Sequence, residues 1–178
     1  MANIEEAKRL YDTGIDAYRA GEYEEAQEAL GRARELYAEA GDRRGEAETL
    51  NDLGVVCVQL EEWDEAEQCL NEALTIRLAL QDRSGQGITL GNLGMMYEHM
   101  DDDDKAVETY EQALAIFQEL GEKGNEKAVA RQLKKLQAGS LLDMLGGLFG
   151  RRGSADDDEE DEGDVIDVTP EPVNGQET

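Results

Sequence analysis

Proline, cysteine and histidine are scarce in this chain of 178 residues, at two, two and one. The lone histidine and two cysteines leave little material for a transition-metal site, so neither metal nor cofactor is expected. Cys57 and Cys69 have no CxxC spacing and sit in apolar periodic stretches. They read as reduced core cysteines of a cytosolic protein, the alternative being a redox pair. Basic residues are few as well, 17 against 43 acidic, for a net charge of -26. That balance excludes a phosphate-backbone binder, which needs cationic patches, and disfavours an anionic membrane surface. No run of about 18 apolar residues exists, so no stable membrane insertion is expected. The start, Met1 to Leu10, lacks the basic and apolar regions of a signal peptide, and a cytoplasmic location is expected.

The acidic excess is uneven. From Ser154 onward there are 11 acidic residues and no Lys or Arg. With almost nothing apolar in Asp156–Asp164, such a block cannot repay its ordering entropy, so residues 153–178 are expected to be a disordered acidic tail.

What the chain does have is a repeat of 40 residues. Blocks 10–49, 50–89 and 90–129 align without a gap. Leu10, Leu50 and Leu90 coincide, as do Gly14, Gly54 and Gly94, Ala26, Ala66 and Ala106, and Ala33, Ala73 and Ala113. Each block reads as two antiparallel helices. The first carries Leu50, Leu53, Cys57 and Leu60 at helical period, the second Ala66, Leu70, Ala73, Leu74 and Ile76. Gly41 suits the position after a helix end, and Asp42 and Asp82 suit N-caps. A glycine inside a helix costs roughly 0.5–1 kcal/mol relative to alanine, so three in phase imply close helix approach. Gly54 is expected to nest against Ala66. After Gly121 the phase continues for one helix, where Lys134 stands at the glycine position; the array should end there with a polar capping helix over 123–138, the seventh helix.

These residues resemble the tetratricopeptide repeat family over about residues 4–138. Its pattern appears as Leu50, Leu53, Gly54, Cys57, Ala66, Leu70 and Ala73, and more fully as Leu90, Leu93, Gly94, Tyr97, Ala106, Tyr110 and Ala113. Block one departs with Thr13 and Ala17. The family unit is usually 34 residues with a proline near its end; the longer unit here resembles those of kinesin light chain and the Partner-of-Inscuteable adaptors, whose Asn-Leu-Gly element matches Asn92-Leu93-Gly94. The resemblance implies an all-α, right-handed helix-turn-helix solenoid of three repeats plus a cap.

Nothing points to catalysis: His99 has no nucleophile or second ligand at a useful spacing, and carboxylates are too numerous for any pair to stand out. The run Asp101–Asp104 answers the macrodipole of a following helix and lacks the glycine and terminal Glu of a calcium loop. By family analogy, the inner face of the first helices is the binding surface, lined by Tyr11, Ile15, Tyr18, Asn51, Asp52, Val55, Gln59, Asn92, Met95 and His99. Asn51 and Asn92 could grip the backbone of an extended peptide, so replacing both should weaken the guest and leave the thermal midpoint nearly unchanged. At the positions where the family clamps an acidic C-terminus stand Tyr11, Ile15, Asp52, Ile88 and Asn92; only one of the five agrees. An amphipathic or basic peptide suits this groove better, and the function expected is a non-enzymatic adaptor or assembly factor. Two alternatives stay open: self-association through the apolar segment within 139–152, chiefly Leu141, Met144, Leu145, Leu148 and Phe149, and an acidic chaperone-like action on basic clients.

Overall fold

The structure, a computed structural model, describes the backbone of residues 4–149 and the side chains of residues 4–139. The acidic tail expected over 153–178 lies outside the described residues. Within them are seven helices and no strand: α1 (Ile4–Ala20), α2 (Tyr23–Ala40), α3 (Arg43–Gln59), α4 (Trp63–Ala79), α5 (Arg83–His99), α6 (Asp103–Leu120) and α7 (Lys123–Phe149). They pair as α1–α2, α3–α4 and α5–α6 hairpins, and each second helix also packs on the first helix of the next pair. The fold is a helical repeat solenoid, whose hairpins bury faces that none could cover alone.

Each connection is only two or three residues long, so the chain must reverse sharply. One residue in each adopts the left-handed conformation: glycine at 21, 41 and 121, but Glu61, Gln81 and Asp101 in the others. The helix that follows is then capped where the sequence allows it. Asp42 and Asp82 accept from the amides of Gly45 and Gly85 at 3.0 Å each, as expected, and Asp102 accepts from that of Lys105.

The phased glycines are buried between the helices of their own hairpins. The nearest group differs from the expected one. A Cβ on Gly54 would stand 2.6 Å from Leu70 Cγ, with the Ala66 carbonyl oxygen next at 3.3 Å. Gly14 meets Leu30 in the same way, and Gly94 meets the ring of Tyr110 at 2.6 Å. The small residue thus makes room for a large side chain one turn beyond the alanine, and lets the two backbones approach.

The largest apolar cluster runs through the last two hairpins and ends on α7, where Val129 and Leu133 are buried against it and Leu136 packs alongside. Lys134 is exposed, as a terminal helix requires. The expected break between a cap ending at 138 and a separate segment does not occur: α7 continues to Phe149. A single glycine such as Gly139 weakens a helix by about 1 kcal/mol without ending it, and no proline follows nearby.

Candidate functional site

The first helices of the hairpins and α7 present a common face. Between them opens a cleft of about 390 Å³, lined by Tyr11 of α1, Arg44, Ala47, Glu48, Asn51 and Asp52 of α3, Ser84, Gly85 and Ile88 of α5, and Asn125 of α7. Arg77 and Leu80, at the end of α4, and the capping Asp82 complete it.

A chain of hydrogen bonds floors this cleft and joins all three repeats. The Tyr11 hydroxyl donates to Asp52 Oδ2 at 2.7 Å, and Asn51 Nδ2 donates to Asp52 Oδ1 at 3.1 Å. Asn51 Oδ1 in turn accepts from Thr89 Oγ1 at 3.1 Å and Asn92 Nδ2 at 3.0 Å. Arg77, only 7% exposed, donates to Thr89 Oγ1 at 2.8 Å and to the Gly85 carbonyl at 2.5 Å. Its own carbonyl accepts from Gln86 Nε2. The flexible arginine reaches across because Gly85 has no side chain; a Cβ there would lie 2.8 Å from Arg77 Cδ.

Burial sets the electrostatics. It pushes the Asp52 carboxyl above its ordinary range, with the bonds from Tyr11 and Asn51 and the charge of Arg77 pulling the other way. Glu48 is raised by burial and by the neighbouring Asp52. Tyr11 is raised far above a free phenol by burial and by Asp52. Burial lowers Arg77, against the pull of Asp82, Asp52 and Glu48. The cleft therefore holds carboxylates whose charge is poorly solvated beside the apolar surfaces of Ala47, Leu80 and Ile88, and Leu80 is 40% exposed.

Of the side chains singled out in the sequence, the cleft brings together Tyr11, Asn51, Asp52 and Ile88. Asn92 joins them only through Asn51; the two amides are 2% and 3% exposed and bonded to each other. Replacing both with alanine would remove packed internal bonds, so we expect the thermal midpoint to fall by several degrees, against the near-constancy expected from sequence. Ile15 and Tyr18 are half-buried against Ala17, Ala26, Leu30 and Val56, and Tyr18 lies 5.8 Å from Tyr23 between ring centroids. Met95 packs on the large core, Val55 and Gln59 are half-buried, and His99 is exposed at the end of α5; none of these four lines the cleft.

Sequence reasoning missed Arg44, Ala47, Arg77, Leu80, Asp82, Ser84, Gly85 and Asn125 as lining. One signal was present: where the other blocks carry Tyr37 and Phe117, the middle block carries Arg77. A charge at a position that is aromatic in the other repeats marks a place where packing has given way to polar contacts. Among the described residues no group of His, Cys, Asp and Glu is arranged to hold a metal ion, and no helix is long and apolar enough to cross a membrane.

Comparisons with known proteins bear on the fold. A family model described as Tetratricopeptide repeat matches residues 9–79, and a second of the same description matches residues 89–123, together more than half of the chain. A search of curated proteins finds no match. Among solved structures, the chain is similar to BtubC (BKLC) from P. vanneervenii, with a TM-score of 0.57 and 19% identity over 86% of this chain and 68% of that one. It is similar also to the N-terminal domain of stress-induced protein-1 (STI-1) from C. elegans, TM-score 0.59 and 18% identity over 75% of this chain and 96% of that one. The Sgt2 TPR domain from Aspergillus fumigatus has a TM-score of 0.58 and 19% identity over 89% of this chain and 92% of that one. At these identities the likeness concerns the fold alone.

Proposed function

The chain belongs to the tetratricopeptide repeat family, and from that premise we propose that it is a non-enzymatic adaptor or assembly factor whose inner cleft captures a basic or amphipathic peptide segment of another protein. The observation that carries this reading is the pairing of Glu48 and Asp52 in a cleft edged by Leu80 and Ile88. Both carboxyls are raised by burial, and Asp52 also raises Glu48. A guest ammonium or guanidinium placed between them would relieve that strain, whereas a guest carboxylate would aggravate it. The apolar edge offers a place for a neighbouring side chain of the same guest.

The reading has a pH signature. A cationic guest favours the ionised carboxylates, so binding releases protons and affinity rises with pH through their titration. Panning a displayed random-peptide library on the intact chain should enrich sequences with Lys or Arg beside an apolar residue. The variants Glu48→Gln and Asp52→Asn should each weaken the selected peptide by about tenfold, worth about 1.4 kcal/mol. Enrichment of peptides ending in acidic residues, or affinity indifferent to both substitutions, would overturn the proposal.

A further inference from the structure

We propose that the exposed face of α7 is a docking surface for the chain's own acidic run at residues 156–162, which folds back along it. Over residues 123–139 five side chains are basic, Lys123, Lys127, Arg131, Lys134 and Lys135, and only Glu126 is acidic. In no other helix do Lys and Arg outnumber Asp and Glu, and the whole chain carries a net charge of -26. All five basic side chains are exposed, while Val129 and Leu133 turn the opposite face of the helix into the core.

The basic stripe repels itself. Residues four apart on a helix are neighbours, so the spacing sets Lys123 beside Lys127, Lys127 beside Arg131 and Arg131 beside Lys135. Three like-charge pairs in succession oppose the helix that carries them, and the macrodipole adds to the cost at its N-terminal end. Local carboxylates answer part of this charge: Lys123 bonds Glu126 at 2.7 Å, and Lys135 lies 4.0 Å from Glu98. Lys127 and Lys134 have no carboxylate within ion-pair distance among the described residues. A polyanion laid along the stripe would relieve the repulsion, and residues 156–162 are seven consecutive carboxylates.

The tether has the length this requires. Because α7 runs to Phe149, about 22 Å of helix separates that end from Lys134 and about 33 Å separates it from Lys127. An extended chain advances at most about 3.5 Å per residue, so from Phe149 the run can return about 24 Å at Asp156 and about 45 Å at Glu162. It therefore covers the stripe from Lys134 to Lys127. A tether this short gives an effective concentration in the millimolar range, well above that of a second copy in dilute solution. The cleft is no rival for the tail, since Glu48 and Asp52 disfavour a further carboxylate there. An outside anionic partner of α7 must displace the tethered one.

A carbodiimide joins a carboxylate to an amine only where the two touch, and trypsin releases the tail as residues 153–178, since no Lys or Arg follows Arg152. In the monomeric full chain at low salt, that fragment should be joined to peptides bearing Lys127 or Lys134 about tenfold more than to those bearing Lys8 or Lys105. Sodium chloride at about 0.5 M should abolish the links. A full-length variant with residues 156–162 changed to Asn and Gln leaves the stripe open. A labelled peptide of the 153–165 sequence should bind this variant about tenfold more tightly than the parent chain, whose own tail competes. Adding Lys127→Glu and Lys134→Glu should remove that gain and leave the thermal midpoint nearly unchanged, because both side chains are exposed. Equal affinity for variant and parent, a gain that survives both lysine substitutions, links spread evenly over Lys8 and Lys105, or links confined to covalent dimers would overturn the inference.

Discussion

Gly91 and Gly94 lie three residues apart in α5, yet an added methyl group would fare differently at each. At Gly94 it would stand 2.6 Å from the fully buried Tyr110 ring; at Gly91 the nearest atom is Val129 Cγ2 at 4.0 Å, ordinary contact. Gly94→Ala should therefore destabilise by about 1–3 kcal/mol, despite the better helix propensity of alanine. Gly91→Ala should stabilise by about 0.5–1 kcal/mol, and urea melts of the two variants would show opposite shifts. Asp52 offers a test of burial against charge. Its folded-state carboxyl is raised, so its contribution to stability is full below the ordinary carboxylate range, roughly pH 4, and is lost as pH climbs through the raised value. Asp52→Asn should flatten that loss and raise the thermal midpoint at pH 7 more than at pH 4. The third repeat already carries asparagine there, as Asn92. The phased glycines were readable because every repeat imposes the same packing. The Asn51 network was not: its aligned positions hold Tyr11 and Gly91, so no periodic signal announces it.

At the scale of elements, the turns show how much local chemistry the repeat tolerates. Every connection described needs one left-handed residue, and three of six use a non-glycine. That conformation costs an L-residue roughly 1–2 kcal/mol. Gln81→Gly should raise stability by about 1 kcal/mol, measured by thermal or urea unfolding, because the φ of 57° is retained while the Cβ clash disappears. Helix starts at Asp42 and Asp82 were legible, since a capping carboxylate acts within three residues of itself. The far end of α7 was not legible in the same way. The Gly146-Gly147 pair lowers helix propensity there, and local propensity alone could not decide the helix's length.

For the whole molecule, stability is held in common by neighbours. Val129 and Leu133 of α7 close the core over Leu90 and Leu93, so removing α7 would expose the interior of the last hairpin. A chain ending at Leu120 should melt well below the full chain and aggregate on heating. A chain ending at Gly139 keeps Leu136, the last described side chain packed on the core, and should melt within a few degrees of the full chain. Sedimentation of the Gly139 form also tests self-association through the residues beyond it: loss of an oligomer would assign that role to them.

The family, the helix-pair unit, the 40-residue stride and the identity of the buried small residues were determined by the sequence itself, because each follows from contacts that recur within one hairpin or between adjacent hairpins. The joining of Tyr11, Asp52, Asn51, Thr89 and Arg77 into one polar floor was decided only by the tertiary structure. Those side chains come from four different helices, and each contact between them depends on the rotation and spacing at which the hairpins stack.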